Sequence, residues 1–534
     1  MALSDREYQA LEDIVGQDNI SRDPAILDTY NQCWGHKAVF DQKWSPRAGA
    51  VLLPGSTEEC QAIVKACNRY HIPFKPFSSG FEIVALALTS ADRNILLDLK
   101  RMDRILEIDV KNMHAVVEPY VPVYRLQKEL FKHGVTVGAI GAGPSTGIVA
   151  ASCCHFGGGT TMVSTGGLGR GVLGVEWILP TGDILRMGSA ENDHGWYSAD
   201  GPGPNLRGVL RGRSGANGGH GVITKASVKL YPWYGPDDME FAGPPGVSAS
   251  ARRITKVPEN YKPIMIKFPT EEAMWQSLQR IGRAELATSL MAAMLFPYGE
   301  GNDEAWVEIQ KIAQSGADMA DLAETSIAIL IGADTQRGLA YKEKCLMHIM
   351  NELGGFPLPL PPLGAEMMFA GLMWHFLFVQ AAFRRTGDFF ISPTGDASLG
   401  QMKLMHQRAK EIIMPYLRNG QFLQTPVPDM FAAPSEHNSV GIHEENCTYY
   451  DPWDQNSLNG MRELATMSED PDGSCGELGV CHLGGGLQVE FASHVHQKFG
   501  PKYDNYDVWL RKIRAMLDPN DVGDWSAYIP SIFP

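Results

Sequence analysis

The stretch EHNSVGIHEENCTYYDPWDQNSLNGM, Glu436 to Met461, gathers side chains that can do proton chemistry. His437 and His443 titrate near neutral pH, and Tyr449 and Tyr450 can hold a hydroxyl or a phenolate, so the segment suits removal of a proton from a substrate oxygen. A hydrogen-bonded structural imidazole is the plainer reading of either histidine taken singly. In RRTGDFFISPTGD, Arg384 and Arg385 offer guanidinium groups to an anionic substrate, with a helix cap or a surface ion pair as the competing use. His494 and His496 lie two apart in ASHVH, on one face of a strand, but no third ligand accompanies them and the reading includes no metal centre. A different chemistry belongs to KPFSSGFEIVAL, Lys75 to Leu86. Through Pro76, Phe77, Ser78, Ser79, Gly80 and Phe81 the backbone must turn, leaving successive N–H groups without a helix or sheet partner. Such a turn is a nest for an anion, and serine and glycine let a diphosphate approach without a clashing side chain; an ordinary serine–glycine turn is the alternative. Neither GxxxxGK[ST] nor a strand–GxGxxG–helix fingerprint is present.

These residues need a frame, and the chain alternates short β-branched runs with helical periods from Pro46 to Pro232. TEECQAIVKACNRYH reads as a helix, NILLDLKR and HAVVEPYV as strands, and PVYRLQKELFKHG as a helix stopped by Gly134. Gly138 to Gly174 is a glycine-rich loop, built around something. VEWILPTGDILRMG predicts a hairpin and HGVITKASVKLYPW one further strand. Proline and glycine break the pattern near Pro236. Beyond it, EEAMWQSLQRIGRAELATSLMAAML and DEAWVEIQKIAQ read as helices, TSIAILIGA, DFFISP and GLQVEFASHVH as strands, and GGFPLPLPPLG as a loop. A helix, YDVWLRKIRAML, precedes the aperiodic end of the chain. The expectation is two α+β domains, residues 1–240 with 500–534 returning to them, and a cap of residues 241–499.

The 534 residues carry a formal net charge of −15, which disfavours nucleic acid and favours a small-molecule substrate. Nine cysteines without a C-x-x-C pair predict reduced thiols in a cytoplasmic protein. The N-terminus lacks a signal-peptide pattern. Met367 to Phe383 is apolar but short for a membrane span and contains His375 and Gln380, so it reads as a buried helix.

Four stretches in order, LPGSTEECQAIVKACNRYHIPFKPFSSG, ILLDLKRMDRILEIDVKNMHAVVEPYVPVYRLQKELFKHGV, GVLGVEWILPTGDILRMG and PNLRGVLRGRSGANGGHGVITKASVKLYP, cover nearly all of residues 46–232. Together they resemble the FAD-binding domain of the vanillyl-alcohol oxidase and p-cresol methylhydroxylase flavoproteins. LDPND is similar to the family's closing DPNG, although the APGKSG-like tail is missing. Glu436–Met461 looks like the H–E–YDPxD segment of some of the family's cap domains. The resemblance implies a two-subdomain FAD-binding domain under an α+β cap with an antiparallel sheet. It implies that Ser78, Ser79 and Gly80 hold the FAD pyrophosphate and that Pro144, Ser145, Thr146, Gly147, Ala150, Ala151 and Ser152 line the flavin. Gly221, Val222 and Ile223 would touch the dinucleotide from a late strand. Several relatives bind flavin covalently through a histidine just after the phosphate loop; Phe81 stands there, so noncovalent FAD is expected. Linkage through a cap residue stays open, with His406, His437, His443, His482, His494 and His496 all in that half. The implied activity is removal of hydride from a hydroxyl-bearing or benzylic carbon, with phenolic or aromatic alcohols favoured over 2-hydroxy acids. Oxygen or a redox protein would accept the electrons. A 2-hydroxy-acid dehydrogenase serving a protein acceptor and a non-catalytic flavin-binding scaffold are the alternatives, and a homo-oligomer stays open.

Overall fold

The computed structural model describes residues 3–31, 47–80, 89, 92–139, 143–154, 157–192, 195–201, 221–242, 253–292, 319–374, 389–423, 429–439, 441–468, 470, 472–473, 497–498, 500–502 and 504–524. Four strands, β1 (Ile20–Ser21), β2 (Ala50–Leu52), β3 (Phe74–Phe77) and β4 (Ile95–Asp98), form a sheet in the order β1-β2-β4-β3. β4 runs parallel to both of its neighbours. A parallel sheet needs crossovers, and helix Thr57–Tyr70 makes the one from β2 to β3. The Ser56 side chain caps its start by accepting from the Glu59 N–H, and His71 ends it in a left-handed conformation. Cys60, Ile63, Val64 and Cys67, spaced by three and four, bury one face against Phe74, Ile95 and Leu97. Each large apolar side chain so buried stabilises the domain by about 1.5–3 kcal/mol.

A second sheet holds β5 (Ile105–Asp109) and β6 (His114–Val117), then β8 (Val172–Ile178), β9 (Ile184–Met187) and β10 (Val222–Lys229), in the order β5-β6-β10-β8-β9 and antiparallel throughout. Between them, β7 (Val135–Thr136) pairs with β11 (Tyr231–Pro232), and β12 (Phe241–Ala242) pairs with β13 (Arg253–Ile254). Helix Val123–Phe131 packs Leu126 and Leu130 under this sheet against Val175, Trp177 and Ala226. Helix Thr57–Tyr70 meets the second sheet at Glu176 of β8, whose buried carboxylate accepts from Thr57 Oγ1 at 2.9 Å and, within the sheet, from Thr224 Oγ1 at 3.0 Å and Lys225 Nζ at 2.8 Å on β10.

The second half of the chain supplies two more antiparallel sheets. β14 (Tyr261–Lys267), β15 (Ser289–Ala292), β16 (Ser326–Gly332) and β17 (Phe356–Leu358) lie in the order β15-β16-β14-β17. β18 (Phe389–Ala397), β19 (Asp429–Pro434) and β20 (Ile442–Tyr449) lie in the order β18-β20-β19. One apolar cluster joins the two through Ile264, Trp275, Leu290, Ile329, Met402, Ala432 and Ile442.

Two sequence expectations are corrected here. The run from Glu271 to Leu295 is not one helix: the helix stops at Arg283, Glu285 takes φ 53°, and Ser289–Ala292 is strand β15. Its residues are helix formers, and pairing along β16 overrides that propensity. The proline-rich GGFPLPLPPLG is not all loop, because Phe356–Leu358 is an edge strand, where a proline without an N–H is tolerated. The helix predicted over Met367–Phe383 is seen as Pro362–Trp374, buried over Met367–Trp374. Residues 375–383, DEAWVEIQKIAQ and GLQVEFASHVH lie outside the described residues.

Candidate functional site

Strand β3 ends at Phe77 on the carboxyl edge of its parallel sheet, where loops of open α/β sheets receive ligands. Pro76 still belongs to the strand, and Ser78, Ser79 and Gly80 follow it. Among the described residues, nothing accepts from the N–H groups of Ser78, Ser79 or Gly80. Gly80 has φ +67° and lies against the Phe77 ring, so close that an added Cβ would be 2.4 Å from the ring. Only glycine meets both conditions without strain. The Phe77 ring is braced edge-on by Tyr30 at 5.1 Å between centroids. The Tyr30 hydroxyl donates to Asp98 Oδ2 at 2.7 Å, and Lys100 Nζ lies 3.3 Å from the same carboxylate. Burial, then the Asp98 hydrogen bond, pushes the Tyr30 phenol up, so it stays a donor at neutral pH. Nothing in the sequence singled out Tyr30, which lies 68 positions from Asp98.

The second predicted loop meets the first. Gly147 N–H donates to Ser79 Oγ at 2.9 Å. A Cβ on Gly147 would lie 3.2 Å from both Ser78 Oγ and the Pro119 carbonyl oxygen, so the small residue is what lets the loops close. Helix Val123–Phe131 fixes the far side. It starts after Pro122 without a side-chain cap, and its first N–H groups, on Val123 and Tyr124, donate instead to the carbonyls of Thr146 and Pro144 at 3.0 and 2.9 Å. That helix terminus is therefore already satisfied, whereas the Ser78–Gly80 turn keeps donors that no described residue takes up. Ser145 is exposed, whereas Thr146 is buried and its hydroxyl has no partner. Ala150, Ala151 and Ser152 follow in a π-helical turn, Ala150–Cys154, and the buried Ser152 hydroxyl is also without a partner.

From there the glycine-rich segment runs to elements of the second half of the chain. Gly157, at φ +62°, packs so tightly that a Cβ would be 2.7 Å from the Ala151 carbonyl and 2.9 Å from Leu168. Thr161 Oγ1 accepts from Ala139 N–H at 2.8 Å, Ser164 Oγ donates to the Thr288 carbonyl at 2.7 Å, and Ser289 Oγ donates to the Thr160 carbonyl at 2.7 Å. The second half of the chain answers with the turn after β19. Glu436, His437 and Asn438 take φ of 47°, 54° and 72°, and the N–H groups of Glu436 and His437 donate to the Met162 and Val163 carbonyls at 3.0 and 2.7 Å. Arg170 reaches Glu436 at 3.5 Å. Tyr231, donating to the Thr165 carbonyl at 2.8 Å, has its phenol pushed up to about 12 by burial, with the Glu436 charge adding to it. His437 is half-buried and its Nδ1 has no partner.

The other predicted residues separate. His443 sits in β20 opposite Asp396 of β18 and Ala433 of β19, near the His437 turn. Tyr449 ends that strand opposite Phe389, and Tyr450 is fully buried in a different cluster with Tyr416, Phe422 and Met461. At about 3.3 Å per residue, His443 and Tyr450 lie roughly 23 Å apart along the chain, so the two ends of β20 do not meet over one small substrate. His406 packs edge-on against Trp275 at 5.7 Å with Nε2 3.7 Å from Glu271, and its side chain is buried. Gly221, at φ +106°, would place a Cβ 2.1 Å from the Ile178 carbonyl. Val222 and Ile223 bury their side chains in the cores of the first and second sheets, so only backbone is left for a ligand. Phe81, Arg384, Arg385, His482, His494 and His496 lie outside the described residues.

Residues 48–188 match the family described as FAD binding domain. D-2-hydroxyglutarate dehydrogenase of Xanthomonas citri pv. viticola is 20% identical over 337 residues, 60% of this chain and 68% of that protein. The mitochondrial D-lactate dehydrogenase (cytochrome) of Arabidopsis thaliana is 27% identical over 182 residues, 34% of this chain and 30% of its own. Among solved structures, p-cresol methylhydroxylase with substrate bound superposes with a TM-score of 0.72 at 19% identity, covering 98% of each chain. A 4-ethylphenol oxidase from Gulosibacter chungangensis gives 0.69 at 18%, covering 99% of this chain and 98% of that one. The architecture is thus that of the p-cresol methylhydroxylase fold, α+β, with helices on mixed and antiparallel sheets. Residues 48–188 are an FAD-binding domain within a chain that has the p-cresol methylhydroxylase fold, and the relatives similar in sequence are named as dehydrogenases.

Proposed function

We propose that the enzyme removes hydride from a hydroxyl-bearing or benzylic carbon of a small aromatic alcohol. The observation that carries this reading is the Gly147 to Ser79 hydrogen bond, which joins the two loops into one cradle continuous with the glycine-rich segment and the His437 turn. The fit to FAD rests on donor chemistry. Three consecutive N–H groups at Ser78–Gly80, taken up by no described residue, suit a diphosphate, and small residues at Gly147 and Ala150–Ser152 suit a flat ring laid against backbone. FAD, when bound, supplies the hydride acceptor. Ser78, Ser79 and Gly80 hold its diphosphate, Pro144–Gly147 and Ala150–Ser152 flank its ring, and the backbone of Gly221–Ile223 supports it from β10. His437 takes the substrate's hydroxyl proton at Nδ1, with Glu436 held in place by Arg170. We assign the FAD as noncovalent because Phe81 replaces the linking histidine.

The assignment is tested by anaerobic mixing with phenolic alcohols such as 4-hydroxybenzyl alcohol, following flavin bleaching near 450 nm. Bleaching by the phenols and not by 2-hydroxy acids is expected, and His437→Gln should slow it by about 10²–10⁴-fold. A second reading, a dehydrogenase of 2-hydroxy acids that passes electrons to a protein, is favoured by the names of the sequence relatives and would employ Arg384 on the carboxylate. Bleaching by D-lactate or D-2-hydroxyglutarate alone, with slow reoxidation in air, would select it. Acid precipitation should leave the yellow colour in the supernatant; colour in the pellet overturns noncovalent binding.

A further inference from the structure

The hairpin of β5 and β6 carries a cluster that the flavin chemistry does not use. Asp109 and His114 are directly opposed across the hairpin, and Glu107 stands two residues before Asp109. One donor atom from each of Glu107, Asp109 and His114 lies within 4.8 Å of the others, and His114 Nε2 is 3.9 Å from Glu107 Oε1. Acidic groups on a surface hairpin prove nothing alone. The imidazole adds to them: the His114 side chain is 3% exposed, and neither ring nitrogen has a hydrogen-bond partner among the described residues. Leaving a buried polar group unpaired is costly, so a fold that keeps one beside two carboxylates has something to put there.

From this geometry we infer a divalent transition-metal site with His114, Glu107 and Asp109 as ligands, one imidazole and two carboxylates of the kind that zinc accepts. Asp109 is already oriented for the role. Its Oδ1 accepts from the N–H groups of Lys111 and Asn112, both at 2.9 Å, and its Oδ2 from Asn112 Nδ2 at 2.6 Å. Hydrogen bonds of this sort around a ligating carboxylate fix its direction. Lys229, opposite His114 in the register of β10, sets its ammonium 5.3 Å from the Tyr231 ring centre, where it interacts with the aromatic face. Zinc at about 2.0–2.2 Å from each ligand requires donors roughly 3.4 Å apart, which a rotation of the half-exposed Glu107 side chain reaches. Outer coordination positions remain for water, so the ion would staple the hairpin that leads from β4 toward the Pro119–Gly147 side of the cradle.

The test uses the FAD-loaded full chain, stripped with chelator and dialysed against micromolar zinc chloride, with bound metal counted by mass spectrometry. Wild type should retain one equivalent more than Glu107→Gln and His114→Gln, and cobalt in place of zinc should give d–d absorption that both variants lose. Counting differences between variants keeps any zinc held by histidines elsewhere out of the comparison. Glu107 is exposed and its variant folds, so it decides the question even if His114→Gln does not. Equal metal content in wild type and Glu107→Gln overturns the site and leaves His114 as an imidazole facing two carboxylates.

Discussion

At the scale of single residues, two positions bear the most weight, one through space and one through charge. A methyl group on Gly147 would lie 3.2 Å from both the Pro119 carbonyl oxygen and Ser78 Oγ, a tight fit that the facing loop must relieve by a few tenths of an ångström. We expect Gly147→Ala to loosen the Ser79 contact and FAD affinity to fall about tenfold, equivalent to about 1.4 kcal/mol, in a flavin-fluorescence titration. Unchanged affinity would show that the two loops do not form one cradle. Glu176 joins β8 to Lys225 of β10 by charge and to helix Thr57–Tyr70 by a hydrogen bond. Burial alone would raise its pKa, but Lys225, Thr57 and Thr224 hold it below its ordinary 4.5. Because the folded value is the lower one, this contribution is complete above about pH 4.5 and fades as pH falls through the folded value. Melting temperatures of wild type should thus drop on acidification from pH 5 to 3 more steeply than those of Glu176→Gln. Parallel curves would remove Glu176 from the acid response.

At the scale of elements, the decisive piece is the turn after β19, which carries three left-handed residues to dock on Met162 and Val163. Gly166 receives it: at φ +69°, it would place a Cβ 2.6 Å from Glu436 Oε1. Gly166→Ala should push the turn off, lowering kcat far more than it raises KM and leaving FAD content near wild type. A loss of FAD with unchanged kcat per bound flavin would contradict that assignment. The elements themselves were largely readable from sequence. The helix Thr57–Tyr70 shows its three-and-four spacing, β8 and β9 flank the turn PTG, and the glycine excess of residues 138–174 announced a backbone-packed segment. What pattern could not give was partnership. SLMA, Ser289–Ala292, looks helical until β16 offers it a ladder, and nothing local says that Glu436–His437 will meet Met162–Val163, since that contact spans more than 270 positions. The histidines and tyrosines of residues 437–450 looked like one constellation because they are neighbours in sequence; an extended strand pulls them apart.

At the scale of the whole molecule, the end of the described chain returns to finish the cradle. In the order β1-β2-β4-β3, strand β3 would be an open edge, and an unpaired edge leaves its N–H and C=O groups without a ladder. The segment after helix Tyr506–Leu517 closes it: Phe74 N–H donates to the Val522 carbonyl and Asp524 N–H to the Phe74 carbonyl, both at 2.8 Å. Asp518 shapes the returning loop by accepting from the N–H groups of Val522 and Gly523 at 2.9 and 2.8 Å. Asp524, itself buried, accepts from Asn94 Nδ2 at 2.7 Å and faces the buried Lys75 ammonium at 3.8 Å. Lys75 lies on β3, three residues before Ser78, so the position of the Ser78–Gly80 turn depends on a carboxylate near the other end of the chain. Removing one partner of a buried ion pair costs about 3–5 kcal/mol, because the remaining charge stays out of water. Asp524→Ala should accordingly lower both the melting temperature and the affinity for FAD, and Lys75→Met with Asp524→Leu, which removes both charges together, should recover much of the melting temperature. If Asp524→Ala melts and binds FAD as wild type does, the returning segment is a passenger and β3 holds the Ser78–Gly80 turn unaided.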